Sequence, residues 1–230
     1  MPTPTSIHLA PITPTVRPRA EVRPPTKSHD LIGSIELMGA QMSFSRNSEV
    51  YGEGEPADYL YKVVSGAVRI YKILNDGRRQ VGGFYLPGDI FGLEVGDEHH
   101  LSAEAISDST ILVIKRSALI ALANRDADVA RQLWTFTARA LDRVQNHMLL
   151  LIRSAQERVA CFLLEMAERL STTEAMELPM SRQDIADYLG LTIETVSRTL
   201  TQLETRSTIA LTTSRRIVLR NRAALCRLNA

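Results

Sequence analysis

Cysteine is scarce in this chain: 230 residues carry two, Cys161 and Cys226. Two thiols cannot build a disulfide framework or ligate an iron-sulfur cluster within one chain. Long apolar runs are also lacking. Stretches such as Met-Leu-Leu-Leu-Ile at 148–152 fall far short of the roughly 20 residues that cross a bilayer. Met1 precedes Pro2 and Thr3 rather than a basic and then apolar leader, so the expected location is the cytoplasm, with no membrane partner. There is no nucleophile beside a paired base, no metal-ligand cluster and no phosphate loop, which argues against an enzyme. Adjacent His99 and His100 would point to opposite faces of a strand, His147 is expected to pack within a helix, and His8 and His29 lie near the N-terminus; no metal and no cofactor is expected.

Net charge is nearly absent too, at +1, but its distribution is uneven. From Leu178 onward eight arginines face four carboxylates, so the cationic surplus sits at the C-terminus. Seven of the ten prolines fall in the first 25 residues, a stretch without periodicity, which predicts a disordered tail over 1–28. From 29 to 116, short apolar runs alternate with Gly54, Gly66, Gly77, Gly88 and Gly92, the pattern of an all-β domain with tight turns. Asp76-Gly77 between two such runs predicts a hairpin. From 117 to 153 the period becomes helical. Thr137, Leu141, Val144, Met148, Leu151 and Ala155 follow one another at 4, 3, 4, 3, 4, an apolar seam that wants a partner helix. A helix over about 129–152 would run roughly 35 Å, longer than packing on one small domain requires. Leu133, Phe136 and Ala140 form a second face able to hold the β-domain, so a homodimer is expected ahead of a helix folded back on its own domain.

Residues 154–230 carry the chemistry. Ser181-Arg182-Gln183-Asp184 is a capping-box variant that opens a helix. Beyond it, Ala186 is small enough for a helix crossing, Gly190 suits a left-handed turn, and Ile185, Leu189, Leu191, Val196 and Leu200 have the spacing of a helix-turn-helix core. Two short apolar segments joined by Thr212-Thr-Ser-Arg-Arg216 read as a wing with two cations at its tip. With Thr192 as cap, Glu194, Ser197 and Arg198 share an exposed face, and Ile193 is positioned for a thymine methyl. Arginine suits the two acceptors of guanine, glutamate accepts from the amine of cytosine or adenine, and serine serves either way. The alternative is a carboxylate favoured by the helix dipole with Arg198 as its ion-pair partner. Ser181, Arg182, Thr192, Thr195, Ser214, Arg215 and Arg216 are the candidate phosphate contacts, against ordinary solvated polar surface.

These residues resemble the CRP/FNR superfamily of bacterial transcription regulators, from about residue 30 to the end. Glu53-Gly-Glu-Pro-Ala-Asp-Tyr-Leu-Tyr-Lys-Val-Val-Ser-Gly66 and Asp76-Gly-Arg-Arg-Gln-Val-Gly-Gly-Phe-Tyr-Leu-Pro-Gly-Asp-Ile-Phe-Gly92 look like that family's β-roll. Glu194-Thr-Val-Ser-Arg198 looks like the reading head of its FNR and FixK branch. The resemblance implies an α+β chain: an N-terminal jelly-roll-like, cyclic-nucleotide-binding-like β-roll, a long dimerisation helix and a C-terminal winged helix-turn-helix. It also implies a palindromic double-stranded DNA partner of the TTGA…TCAA type and genes of microaerobic respiration or nitrogen fixation. RNA polymerase is the implied further partner, touched through the turn at Asp76, Gly77 and Arg78, which is otherwise an ordinary hairpin.

Two departures bear on mechanism. The family's cyclic-AMP branch follows its Gly-Glu pair closely with an arginine for the cyclic phosphate. Here Gly92-Leu93-Glu94 is followed by no arginine before Arg116, and the oxygen-sensing branch's N-terminal cysteines are missing. The expectation is therefore an effector-independent FixK-like activator. The alternative is a regulator whose β-roll must bind a small molecule before the heads align. Cys226, near the end, is a candidate for redox control, while Cys161 reads as a small buried hydrophobe.

Overall fold

The computed structural model describes residues 31–172 and 175–228. The expected tail over 1–28 lies outside the described residues.

A short helix α1 (Leu31–Met38) precedes eight strands: β1 (Ala40–Phe44), β2 (Glu49–Tyr51), β3 (Tyr59–Ser65), β4 (Val68–Ile73), β5 (Arg79–Tyr85), β6 (Ile90–Phe91), β7 (Ser102–Ala105) and β8 (Ser109–Lys115). They form two antiparallel sheets, ordered β1-β8-β3-β6 and β2-β7-β4-β5. Side-chain alternation explains the layering. In β3 and β8, Tyr61, Val63 and Ile111 point into the space between the sheets, whereas Leu60, Leu112 and Ile114 point the other way, under a helical cover. Gly66 allows the β3–β4 turn its positive φ of 83°, and a Cβ there would clash with the Ser109 hydroxyl. The Asp76-Gly77 turn is a hairpin, with the Leu74 and Arg78 backbones bonded across it at 2.8 Å.

The cover is built by α2 (Arg116–Ala123) and α3 (Ala127–Leu150). Asp126 caps α3, its carboxylate accepting from the Asp128 and Val129 amides. Val129, Leu133 and Phe136 pack with Ile35, Leu60, Ile114 and Leu119, so one face of α3 does hold the β-domain. Its opposite face is bare: Leu141, Val144 and Met148 are 58%, 62% and 64% exposed. Trp134, 74% exposed and three residues before Thr137, extends this seam by one turn beyond the expected residues, and its spacing of three is the sequence signal for it. The other end corrects the expectation. The chain leaves α3 at Leu151, and Ser154 caps a new helix α4 (Ala155–Arg169) through a capping box with Glu157. Ala155 is therefore the first residue of a second helix rather than the last of the seam.

The C-terminal unit continues with β9 (Ala175–Glu177), α5 (Arg182–Leu189), α6 (Ile193–Thr205), β10 (Ile209–Leu211), β11 (Arg216–Leu219) and α7 (Arg222–Leu228). Its sheet runs β10-β11-β9, so a strand too short to stand out in the sequence backs the expected wing. The core of this unit is continuous with the β-roll: Phe162, Met166, Ile185, Val196 and Leu203 belong to one cluster with Val81, Phe84 and Leu86 of the β5 region.

Candidate nucleic-acid interface

The helix-turn-helix is specified by local chemistry. The Ser181 hydroxyl accepts from the Asp184 amide at 3.1 Å, and the Asp184 carboxylate accepts from the Ser181 amide at 2.9 Å. Gly190 ends α5 in the left-handed region at φ 61°, where a Cβ costs most residues free energy, and Ala186 at the crossing is fully buried. Thr192 then caps α6, its hydroxyl accepting from the Thr195 amide at 3.2 Å. Val196, Leu200 and Leu203 face inward, which turns the first two turns of the opposite face outward.

Glu194 and Arg198 are both exposed on that face, with Ser197 between them half-buried. Neither Glu194 nor Arg198 is engaged in an ion pair among the described residues, so the reading of Arg198 as the partner of Glu194 does not hold. Ile193 is half-buried and packs against the domain core at the edge of that face.

The candidate phosphate contacts divide. Thr192 is exposed at the start of α6 and Ser214 in the wing turn, while Arg182 and Arg215 are partly covered. The wing turn is held by the Thr213 hydroxyl, which accepts from the Arg215 and Arg216 amides at 3.3 and 2.9 Å. Arg216 sits one step from the tip, opening β11 opposite Glu177. Thr195 shares its hydroxyl with that of Thr192 at 3.1 Å. Ser181 is the clear correction: its hydroxyl proton is given to Asp184 at 2.7 Å, so it serves the cap and has no donor left for a phosphate.

The β-roll interior explains itself through its rings. Tyr51 stacks on His99 at 3.6 Å between centroids, Tyr61 lies 5.1 Å from both Tyr51 and Phe91, and Tyr85 lies 5.0 Å from Phe91. His99 is 1% exposed and its Nδ1 lies 3.5 Å from Glu94. Burial pushes the Tyr61 phenol up to about 12 and that of Tyr51 higher still. His99 and exposed His100 are in an irregular segment rather than a strand. Arg116, the first arginine after Glu94, donates to the Gly96 carbonyl at 2.7 Å and so braces the loop rather than lining the interior. Among the described residues, no three His, Cys, Asp or Glu side chains are grouped to hold a metal ion. No helix among them is long and apolar enough to cross a membrane. Cys226 is exposed on α7, and burial raises the thiol of Cys161.

Fold and site together define a DNA-binding regulator, with a winged helix-turn-helix joined to a β-roll. The chain matches the cyclic nucleotide-binding domain family over residues 41–126 and the Crp-like helix-turn-helix domain family over 157–228. It is 52% identical over 202 residues to the nitrogen fixation regulation protein FixK of Azorhizobium caulinodans, spanning 85% of this chain and 82% of the relative. With the protein of the same description from Rhizobium meliloti it shares 41% over 201 residues, 86% and 92% of the two chains. The solved structure of FixK2 from Bradyrhizobium japonicum superposes with a TM-score of 0.80 at 55% identity, over 84% of this chain and 98% of that one. The chain belongs to the CRP/FNR superfamily of transcription regulators, in its FixK-like branch.

Proposed function

We propose that the chain acts as a homodimeric, effector-independent transcription activator in the cytoplasm and reads a TTGA…TCAA-type palindrome. The observation that carries this reading is the exposed, unpaired Glu194 and Arg198 one turn apart at the capped start of α6. A helix with that face enters a major groove, Arg198 meeting guanine and Glu194 an exocyclic amine, with Ser197 between them and Ile193 at the flank. Arg182, Thr192, Thr195, Ser214, Arg215 and Arg216 supply the phosphate contacts that set register.

The bare side chains of Trp134, Leu141, Val144 and Met148, flanked on the same seam by exposed Thr137 and half-buried Leu151, support dimerisation, because a monomer leaves the four apolar ones in water. Two crossed α3 helices carry their heads to half-sites about 34 Å apart. Independence from an effector is supported by the ring stack of Tyr51, Tyr61, Phe91 and His99 between the sheets and by the missing arginine. The exposed tip at Asp76, Gly77 and Arg78 is suited to RNA polymerase; the Asp76 carboxylate binds the Arg78 amide and side chain and is held below its ordinary pKa by those bonds. The names of the relatives favour genes of nitrogen fixation. We divide the chain functionally into the roll (29–116), the dimerisation segment (117–153) and the DNA-binding head (154–230).

The test is binding of purified, ligand-stripped protein to a TTGA…TCAA duplex and to a scrambled one at fixed salt. Preferential binding as a dimer without additives is expected. Binding that appears only after a small molecule is added would replace this reading with the ligand-gated one.

A further inference from the structure

The head meets the β-roll through a polar cluster that the DNA-reading residues do not use. Asp184 is 3% exposed. One of its carboxylate oxygens accepts from the Ser181 amide and hydroxyl, as the cap of α5. Its other oxygen accepts from Arg69 of β4 at 2.5 Å and from Arg79 of β5 at 2.7 Å. One carboxylate thus both starts the first helix of the helix-turn-helix and ties it to the roll. Arg69, 9% exposed, also donates to Glu104 of β7 at 2.8 Å, which anchors it within its own sheet. Arg79 donates through Nε to Asp187, one turn along α5, at 2.7 Å, and Gln80 donates to the Asp187 carbonyl at 2.7 Å. Both guanidinium groups lie close to the Tyr71 ring, at 5.6 and 6.0 Å from its centroid.

Charge-assisted bonds from a rigid, planar donor fix direction as well as distance. Two arginines on adjacent strands, gripping two carboxylates one helical turn apart, define both the position and the rotation of α5. Helix α6 follows α5 through Gly190 and shares its core, so whatever orients α5 orients the reading head. We infer that Arg69 and Arg79 are positioning residues for DNA recognition, acting through Asp184 and Asp187 to hold the head at a set angle to the β-roll. They touch no DNA. Their effect is to keep the two heads of a dimer in register with successive grooves, without the head having to find that orientation on each binding event. This inference rests on the proposed DNA-reading role of α6.

The test uses full-length protein titrated on the TTGA…TCAA and scrambled duplexes over a series of salt concentrations, with active concentration set by stoichiometric titration. Arg79→Ala is the informative variant, because Arg79 is more exposed than Arg69 and its loss leaves the Ser181–Asp184 cap in place. It should bind the palindrome about tenfold more weakly, a usual size for coupling between sites. Its slope of log affinity against log salt should equal that of the unmodified protein, because no phosphate contact is lost. Arg79→Lys, which keeps the charge but not the fork that reaches both carboxylates, should recover only part of the loss, and Arg79→Ala with Asp187→Ala should lose no more than Arg79→Ala alone. Gln80→Ala, which removes only a neutral bond, should show the same pattern in milder form. Undiminished affinity of Arg79→Ala, additive losses in the double variant, or a slope shallower by about one phosphate contact would each overturn the inference. Failure of the unmodified protein to prefer the palindrome would overturn instead the reading of α6.

Discussion

The two halves of the molecule bury their side chains in different ways. The β-roll closes on itself: its rings stack between two sheets, and its outer face is sealed by α1, α2 and α3. The head is not self-contained, since its core runs into β5 of the roll and its first helix is held by roll arginines. The contrast teaches that α5, and with it α6, is held by residues 115 and 105 positions away in the chain, whereas the roll interior is packed by its own rings.

Breaking the join should have the largest effect. Arg69→Ala leaves Glu104 and Asp184 buried without their shared cation, a loss of about 3 to 5 kcal/mol in stability by denaturant unfolding. A change below about 1 kcal/mol would mean that the two units are only loosely coupled. Within the head, Arg198→Ala should cost about 1 to 3 kcal/mol in operator affinity and relax preference at one base pair, read by competition with single-substituted duplexes. Arg215→Ala, on the wing, should weaken cognate and scrambled DNA alike and reduce the salt slope by about one. Equal behaviour of these two variants on both duplexes would erase the proposed division between base reading and phosphate positioning.

The smallest effect is alkaline and belongs to the roll. Burial raises the Tyr61 phenol from its ordinary 10.0 to about 12. Between these values the unfolded chain releases a proton that the folded chain keeps, so stability should hold up to about pH 10 and fall as pH rises toward 12. Tyr61→Phe should flatten part of that fall in unfolding curves recorded from pH 9 to 12. An unchanged curve would show that Tyr61 is not sealed in the ring stack.

Much of the architecture was legible because it is written at short range. The capping box at Ser181, the turn at Gly190 and the seam from Thr137 to Met148 each depend on residues within a turn or two of one another. Two local details turn on which of two short-range patterns prevails: the Ser181 hydroxyl serves Asp184 rather than a phosphate, and the Ser154 cap makes Ala155 the start of a new helix rather than the end of the seam. Other features are not legible because they join distant segments. Arg79 stood beside the candidate polymerase-contacting turn with no sequence signal that its partners lie 105 and 108 residues away.

By itself, then, the sequence determined the order of the units, the helix-turn-helix and the face of α6 that carries Glu194 and Arg198, because hydrophobic period and capping act between near neighbours. Only the tertiary structure decided how the head is held. Burying Asp184 demands cations, and folding alone brings Arg69 and Arg79 to it from two adjacent strands of another unit.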